Sequence, residues 1–385
     1  MMSLWKRAFL ILFALIMICA PLPKPGTQTS AAMAETLGIE YNEWPDQVSL
    51  TGVPTAILFT VMEGKSALHV KVEPGSCKGM SEEEIWETLR ASAYMWCSQG
   101  WNTHVANEDG SLQVWYSDLR FRDGVRLAFY TDDLTEDEKR CRDEIDALVA
   151  GFAERCGGSQ LAMEVAIYDY IRAHMTYRSF EDFPAGDPNS EKCTSAVTAF
   201  REGWGNCQAY SDLFYLMAQC AGIESYFVSG KTMTGGRHLW NCVEFTVGEQ
   251  CRNYMVDVTW GDNLDIHYYL NFGLDRCGDR IWYTECNVAP VTDDRHTYYS
   301  AETSDMGKVC RTYKEIAEFC VWKAKRGYKA VELLLTGFSG VDKDKLNNAI
   351  TRALPNHNRK REWNWHPVRM DDAGNIVLKF TWAQY

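Results

Sequence analysis

Apolar positions along this chain recur with two periods, and the elements follow from them. Leu161, Val165, Tyr168, Ile171 and Met175 are spaced by three or four and predict a helix that Ser159 could cap. Ala209, Leu213, Leu216 and Cys220 share one face of another helix, which starts at Cys207 and is stopped by Gly222. Ser81, with Glu84 three residues on, has the spacing of a capping box and opens a helix running to Cys97. A further helix is predicted from Thr135 to Ala153. Strand-like runs are Ala56 to Met62, Leu68 to Val72, and Ser111 to Tyr116 with Val125 to Tyr130 around an Arg122-Asp123-Gly124 turn. Arg237 to Phe245 and Tyr254 to Trp260 read as two more strands. Toward the end come a helix near Tyr313 to Lys325, a strand near Ala330 to Leu335, a helix near Lys343 to Leu354 and a strand from Ile376 to Trp382.

This order predicts an α+β protein with a central domain over 159–300, an α/β module over 35–158 before it and another over 301–385 after it. Glu82-Glu83-Glu84-Ile85 and Tyr313-Lys314-Glu315-Ile316 invite a comparison of the two flanks as duplicates. The first 34 residues differ from the rest. Lys6 and Arg7 precede an apolar stretch from Ala8 to Ala20, then Pro21, Pro23 and Pro25. The stretch is shorter than the roughly 20 residues a membrane span needs. With Ala32-Met33-Ala34 offering small residues, it predicts a signal peptide cut after Ala34 and a secreted or cell-surface protein, an uncleaved anchor being the alternative.

The apolar fraction of 46% supplies material for packed cores, and the net charge of −13 excludes a general nucleic-acid-binding surface. The dense basic cluster, His357 to Arg361, reads as a solvated loop. Fourteen cysteines suit an oxidising compartment. With Cys19 removed in the leader and Cys207 reserved for chemistry, an even number remains, which permits full pairing into disulfides. No CxxC pair occurs and there is no EF-hand-like acidic loop, so no metal or other cofactor is expected.

Cys207 falls in a first helical turn, where unpaired backbone N–H groups and the positive end of the helix dipole stabilise an anion. Taken alone it would read as half of a disulfide. The strands carrying His238 and Asp257 can form a hairpin. With a loop from Thr246 to Glu249, Phe245 faces Gln250 and His238 falls directly opposite Asp257 on the same face. A carboxylate there fixes the imidazole's orientation and stabilises its protonated form, so Cys207, His238 and Asp257 have complementary tasks as nucleophile, base and orienting partner.

Three blocks resemble the transglutaminase-like superfamily in order and spacing: Gly205-Asn206-Cys207-Gln208-Ala209-Tyr210, His238-Leu239-Trp240-Asn241 and Val256-Asp257-Val258-Thr259-Trp260. The helix around Val165 to Ile171, ending in Met175-Thr176-Tyr177, also looks like the segment that leads into that domain. The resemblance spans about 159–275. It implies a papain-like core, with the cysteine helix packed on an antiparallel sheet, and attack of Cys207 on an amide carbonyl through a thioester. It further implies an oxyanion donor at the Cys207 amide, with Tyr177 as candidate for the second, and substrate contacts at Trp240 and Asn241. A protein or peptide substrate follows. A peptidase or amidase is the leading reading, protein-glutamine transamidation its enzymatic alternative, and a non-catalytic extracellular binding protein that keeps the fold the third.

Overall fold

The computed structural model describes residues 41–129, 134–247, 250–273, 276, 280–282, 296–299, 306–353, 363–370 and 374–382. The predicted leader with its Ala34 cleavage point, and the basic run from His357 to Arg361, lie outside the described residues.

Helices and sheets mix in an α+β architecture. The first sheet holds β1 (Asn42–Val48), β2 (Leu68–Val72), β3 (Cys97–Ala106) and β4 (Leu112–Phe121) in the order β1-β2-β4-β3, with β1 parallel to β2 and the other pairs antiparallel. Helices α1 (Val53–Met62) and α2 (Glu82–Tyr94) supply Ile57 and Leu89 to a core shared with Leu68, Val70, Val114 and Tyr116. The capping box at Ser81 forms as expected. Two expected strands are helices instead. Ala56 to Met62 lies in α1, whose Pro54 sits in the first turn and which buries seven of its ten residues, so no polar face marks its period. Arg122-Asp123-Gly124 begins a helix, α3 (Asp123–Phe129), in place of a hairpin turn. The helix opened by Ser81 ends at Tyr94, and Cys97 starts β3, a polar strand that was not foreseen.

The middle of the chain runs through α4 (Glu136–Cys156), α5 (Gln160–His174), the two-residue β5 (Thr176–Tyr177), α6 (Ala196–Glu202), β6 (Trp204–Gly205) and α7 (Cys207–Cys220). Next come β7 (Ser225–Thr232), β8 (Arg237–Val247), β9 (Gln250–Val256), α8 (Val258–Leu264) and β10 (Arg280–Trp282), the four strands forming a sheet in the order β10-β7-β8-β9. Leu213 and Leu216 of α7 and Ile167 of α5 pack on one sheet face through Leu239, Val243 and Val256.

A third sheet, β11 (Lys308–Cys310), β12 (Ala330–Leu335), β13 (Trp363–Arg369) and β14 (Ile376–Trp382), has the order β11-β12-β14-β13 and carries α9 (Tyr313–Lys325) and α10 (Lys343–Ala353). Its pairings, parallel once and then antiparallel twice, copy those of the first sheet, so both flanks run β-α-β-α-β-β. The tetrapeptides compared in the sequence belong to α2 and α9, which hold different places in that scheme; the likeness is one of topology.

Several contacts bind these parts, among them Arg237 with Glu87 at 3.8 Å and Lys379 with Asp265. On the far face of the central sheet, Val228, Trp240, Cys242 and Met255 pack on Leu334 and Val377 of the third. Glu332 of β12 accepts from the His267 backbone N–H at 2.8 Å and faces its Nδ1 at 3.1 Å, while Tyr299 donates to the same carboxylate. Arg122, following β4, donates from Nε and Nη2 to the two carboxylate oxygens of Asp212 in α7 at 2.9 and 3.0 Å, both side chains fully buried. Among the described residues no two cysteines are joined. Cys97, Cys141, Cys310 and Cys320 sit in the cores as small apolar side chains, in place of the expected disulfide framework. No described helix is long and apolar enough to cross a membrane.

Candidate active site

The cysteine helix starts where the sequence demands a tight approach. A Cβ at Gly205 would meet the Cβ of Ala209 at 2.5 Å and the Cys193 carbonyl at 3.0 Å, so only glycine lets the chain turn into α7 here. Asn206 is the N-cap, and its side-chain oxygen accepts from the amides of Gln208 and Ala209 at 2.9 and 3.4 Å. That cap takes the Gln208 and Ala209 amides and not that of Cys207. The Cys207 thiol, half-buried, lies close enough to the ring of His238 on β8 to favour its protonated form.

His238 is 6% exposed, and its Nε2 lies 2.6 Å from Oδ2 of Asp257. With Nε2 so engaged, Nδ1 is the ring atom left for the thiol. Asp257 follows β9 and caps α8, its Oδ1 accepting from the Trp260 amide at 3.0 Å. One carboxylate therefore both starts a helix and orients the imidazole. The predicted strand from Tyr254 to Trp260 accordingly stops at Val256. The register also departs from expectation. Val247 pairs with Gln250 and Asn241 with Val256, a shift of two residues that leaves His238 without Asp257 directly opposite. A shift of two keeps every side chain on its face, which is why the contact survives diagonally.

Burial pulls the His238 imidazolium down most strongly, but the Asp257 charge and hydrogen bond, joined by Cys207, outweigh it and raise the group to about 9. Its ring lies between Trp240, centroid 5.6 Å away and 24° from parallel, and Trp260, 5.4 Å away at 33°. Two indole faces beside an imidazolium favour its charge.

The other expected site residues are placed as follows. Trp240 is fully buried and donates from Nε1 to the Met255 sulfur at 3.3 Å. Asn241 is also buried and donates from Nδ2 to the Ser211 carbonyl at 3.2 Å, while Ser211 Oγ donates to the Leu239 carbonyl at 3.0 Å. Both act as ties behind the site, Asn241 lashing β8 to α7, and neither presents a surface to a substrate. Tyr177 is 41% exposed at the mouth, its ring 6.4 Å from that of Tyr210. Burial, then the nearby charges of Cys207 and Cys193, push its phenol up to about 12.

Four neighbours escaped the sequence reading. Tyr210, one turn along α7 from Cys207, donates to Asp262 of α8 at 2.5 Å. Cys193 receives a hydrogen bond from Asn206 Nδ2 at 3.5 Å, and burial followed by Cys207 raises its thiol to about 11. Tyr168 of α5 donates to the Ile266 and Asp257 carbonyls at 3.2 and 3.4 Å. Its hydroxyl occupies the space a Cβ on Gly261 would take, at 1.6 Å, so α8 can seat here only with glycine at that position. Asn206 before a helical run was the one legible signal among them.

Residues 147–278 match the model of the transglutaminase-like superfamily, a stretch that contains Cys207, His238 and Asp257, and this segment is transglutaminase-like. No curated protein matches. Among solved structures, a candidate cysteine protease from Cytophaga hutchinsonii is 14% identical, with 48% of this chain and 66% of that one covered and a TM-score of 0.25. A TGase is 14% identical, with 50% of each chain covered and a TM-score of 0.26. The periplasmic domain of TgpA from Pseudomonas aeruginosa, bound to ethylmercury, is 16% identical, with 42% and 66% covered and a TM-score of 0.24. The chain thus spans from half to just under two thirds of the length of these structures.

Proposed function

We propose that this chain, through its transglutaminase-like segment, is an exported thiol hydrolase that cleaves peptide or glutamine amide bonds, with Cys207 as nucleophile, His238 as acid and base, and Asp257 as the residue that holds His238. The observation that carries the reading is the linked pair of contacts, Cys207 to His238 and His238 to Asp257, in a segment whose relatives use a cysteine. The core is papain-like in this reading, a cysteine helix on an antiparallel sheet over 159–300. A signal peptide over 1–34 and the flanking modules over 35–158 and 301–385 complete the chain.

The Cys207 sulfur attacks the amide carbonyl carbon, and the electron pair pushed onto oxygen is met by the Cys207 amide N–H. As the tetrahedral species collapses, the C–N bond breaks and His238 delivers its Nδ1 proton to the departing amine. A thioester remains. Water then adds to it, giving its proton to Nδ1, and the acid product leaves as the thiolate re-forms beside the imidazolium. Asp257 keeps Nε2 protonated throughout, so that Nδ1 is the nitrogen that cycles. Hydrolysis is favoured over transfer because an exported enzyme works in abundant water.

The test is incubation of the protein and its Cys207→Ala variant with glutamine-containing peptides and a labelled primary amine. Cleavage or deamidation by the parent alone is the expected result. Amine incorporation without hydrolysis would assign the chain to transamidation, and identical products from both proteins would remove the enzymatic reading.

A further inference from the structure

We propose that the groove between α9 and α10 is a docking site for an acidic, partly apolar peptide segment of a partner protein, separate from the thiol chemistry and independent of it. The groove has a volume of about 750 Å³. Its cationic walls are Lys314 and Lys325 from α9 and Lys345 and Arg352 from α10, opposed on the lining only by Glu318. Such a concentration of positive charge is unusual on a chain whose net charge is −13. Its floor is apolar and low: Ala317 and Val321 are buried, and Ala349 and Trp322 half-buried.

Helix stability accounts for only half of the charge: Lys325 and Arg352 stand in last turns, where cations complement the dipole, but Lys314 and Lys345 do not. Because β12 and β13 both run antiparallel to β14, and β11 runs parallel to β12, the two crossover helices point the same way. Lys314 and Lys345 therefore stand together in the first turns of α9 and α10, against the positive end of both dipoles, where an acid would be stabilising. The acids of those turns, Glu315 and Asp344, are not on the groove wall. The corresponding flank of the same topology follows the ordinary rule, α2 opening on Glu82, Glu83 and Glu84. At the other end, Lys325 and Arg352 are exposed and form no ion pair among the described residues; Lys314 and Lys345, although paired with Glu318 at 3.8 Å and Asp342 at 3.7 Å, keep 82% and 70% of their side chains in solvent.

Paired cations at both ends of a shallow apolar floor select a ligand with carboxylates at both ends and small apolar groups between them. The 11 residues of α10 give a length of about 16 Å, enough for some three turns of a helical partner. Charge complementarity within a Debye length of the groove favours such a segment despite the acidity of the rest of the surface.

The experiment uses the full chain and a fluorescein-labelled peptide of about fourteen residues, with glutamates at both ends and alanine and leucine between. Anisotropy should show saturable binding that weakens with added salt and falls at least about tenfold in a Lys325→Glu/Arg352→Glu double variant. Cys207→Ala should bind as the parent does, so failure of the catalytic reading leaves this one intact. The proposal is overturned if the double variant, shown folded by circular dichroism, binds equally well, or if a lysine version of the peptide competes equally. It is also overturned if the protein alone sediments as a salt-sensitive dimer that the double variant abolishes, which would give the groove to a second copy.

Discussion

Asp257 holds Nε2 of His238 at 2.6 Å from a position two residues out of cross-strand alignment, and the same carboxylate caps α8 at the Trp260 amide. Charge and cap can therefore be separated by mutation. Asn caps helices about as well as Asp. Asp257→Asn should keep the cap, lose the stability that pairing with His238 contributes below about pH 9, and lower kcat/KM by about 10²- to 10⁴-fold. Asp257→Ala should show the same activity loss and a further destabilisation of about 1 kcal/mol. An Asp257→Asn protein with near-parental activity would show that the carboxylate's charge does not orient the base.

The protonated state of His238 sets a pH limit. With the group raised to about 9, the imidazolium persists through neutral pH and is lost above it. The rate of Cys207-dependent cleavage should fall as pH rises through about 9, where His238 loses the proton it delivers to the departing amine. In Asp257→Asn the same transition should move toward the ordinary imidazole value of about 6.5. Initial-rate profiles of parent and variant check this, and superimposable profiles would contradict it.

The His267–Glu332 link makes a separate prediction about stability. Burial lowers His267, but Glu332 and Asp169 outweigh it and raise the group to about 9. A histidine raised on folding stabilises fully below its unfolded value of about 6.5, and that contribution is lost as pH climbs through about 9. Glu332 has the opposite sign: although burial raises it, His267 and its other partners hold it below the ordinary carboxylate range, so its share fails only in acid. Urea midpoints should fall from pH 6.5 to 9.5, and Glu332→Gln should flatten that slope. His238 adds a slope of the same sign, so the difference between parent and variant is the quantity to measure.

The Arg122–Asp212 pair is buried on both sides, and burial, even against Arg122, raises Asp212 to about 6. Removing one partner strands the other. Arg122→Met should cost about 3–5 kcal/mol in denaturant unfolding, whereas Arg122→Met/Asp212→Leu should recover most of it. A double variant as unstable as the single one would mean that the pair supplies more than its own neutralisation.

Gly261→Ala places a methyl on the Tyr168 hydroxyl and should cost at least about 2 kcal/mol while lowering activity, since α8 and Asp257 must shift together. Tyr168→Phe in that background should restore part of the thermal midpoint by removing the oxygen. No rescue would place the strain elsewhere in α8.

The helices α5, α9 and α10 lie within a few residues of their expected bounds because a solvent face leaves a period to detect. The strands β2, β12 and β14, buried on both faces, were legible as short, mostly apolar runs, and α7 by its length and the spacing of its larger apolar residues. The same kind of apolar run misled in α1, a helix short enough to read as a strand, and β3 was missed because it is polar. Cys207 and His238 were singled out from their local setting, and only the fold shows them side by side. The nearness of Asp257 to His238 was expected from a register two residues off, and its parity alone preserved that expectation. Asn241 and Trp240 look like site residues in sequence because they adjoin His238, yet Trp240, on the same face as His238, is buried beneath its ring with Nε1 on the Met255 sulfur, and Asn241, on the other face, is consumed by Ser211.

The far face of the central sheet bears on how the protein can be handled. Trp240, Cys242 and Met255 rest on Leu334 and Val377, residues that lie beyond the 147–278 stretch by which the superfamily is recognised. A fragment trimmed to that stretch would be born with a greasy plate open to water, one of its boards directly joined to His238. Such a fragment should clump when expressed, and the shortest well-behaved version should extend through the last strand at Trp382.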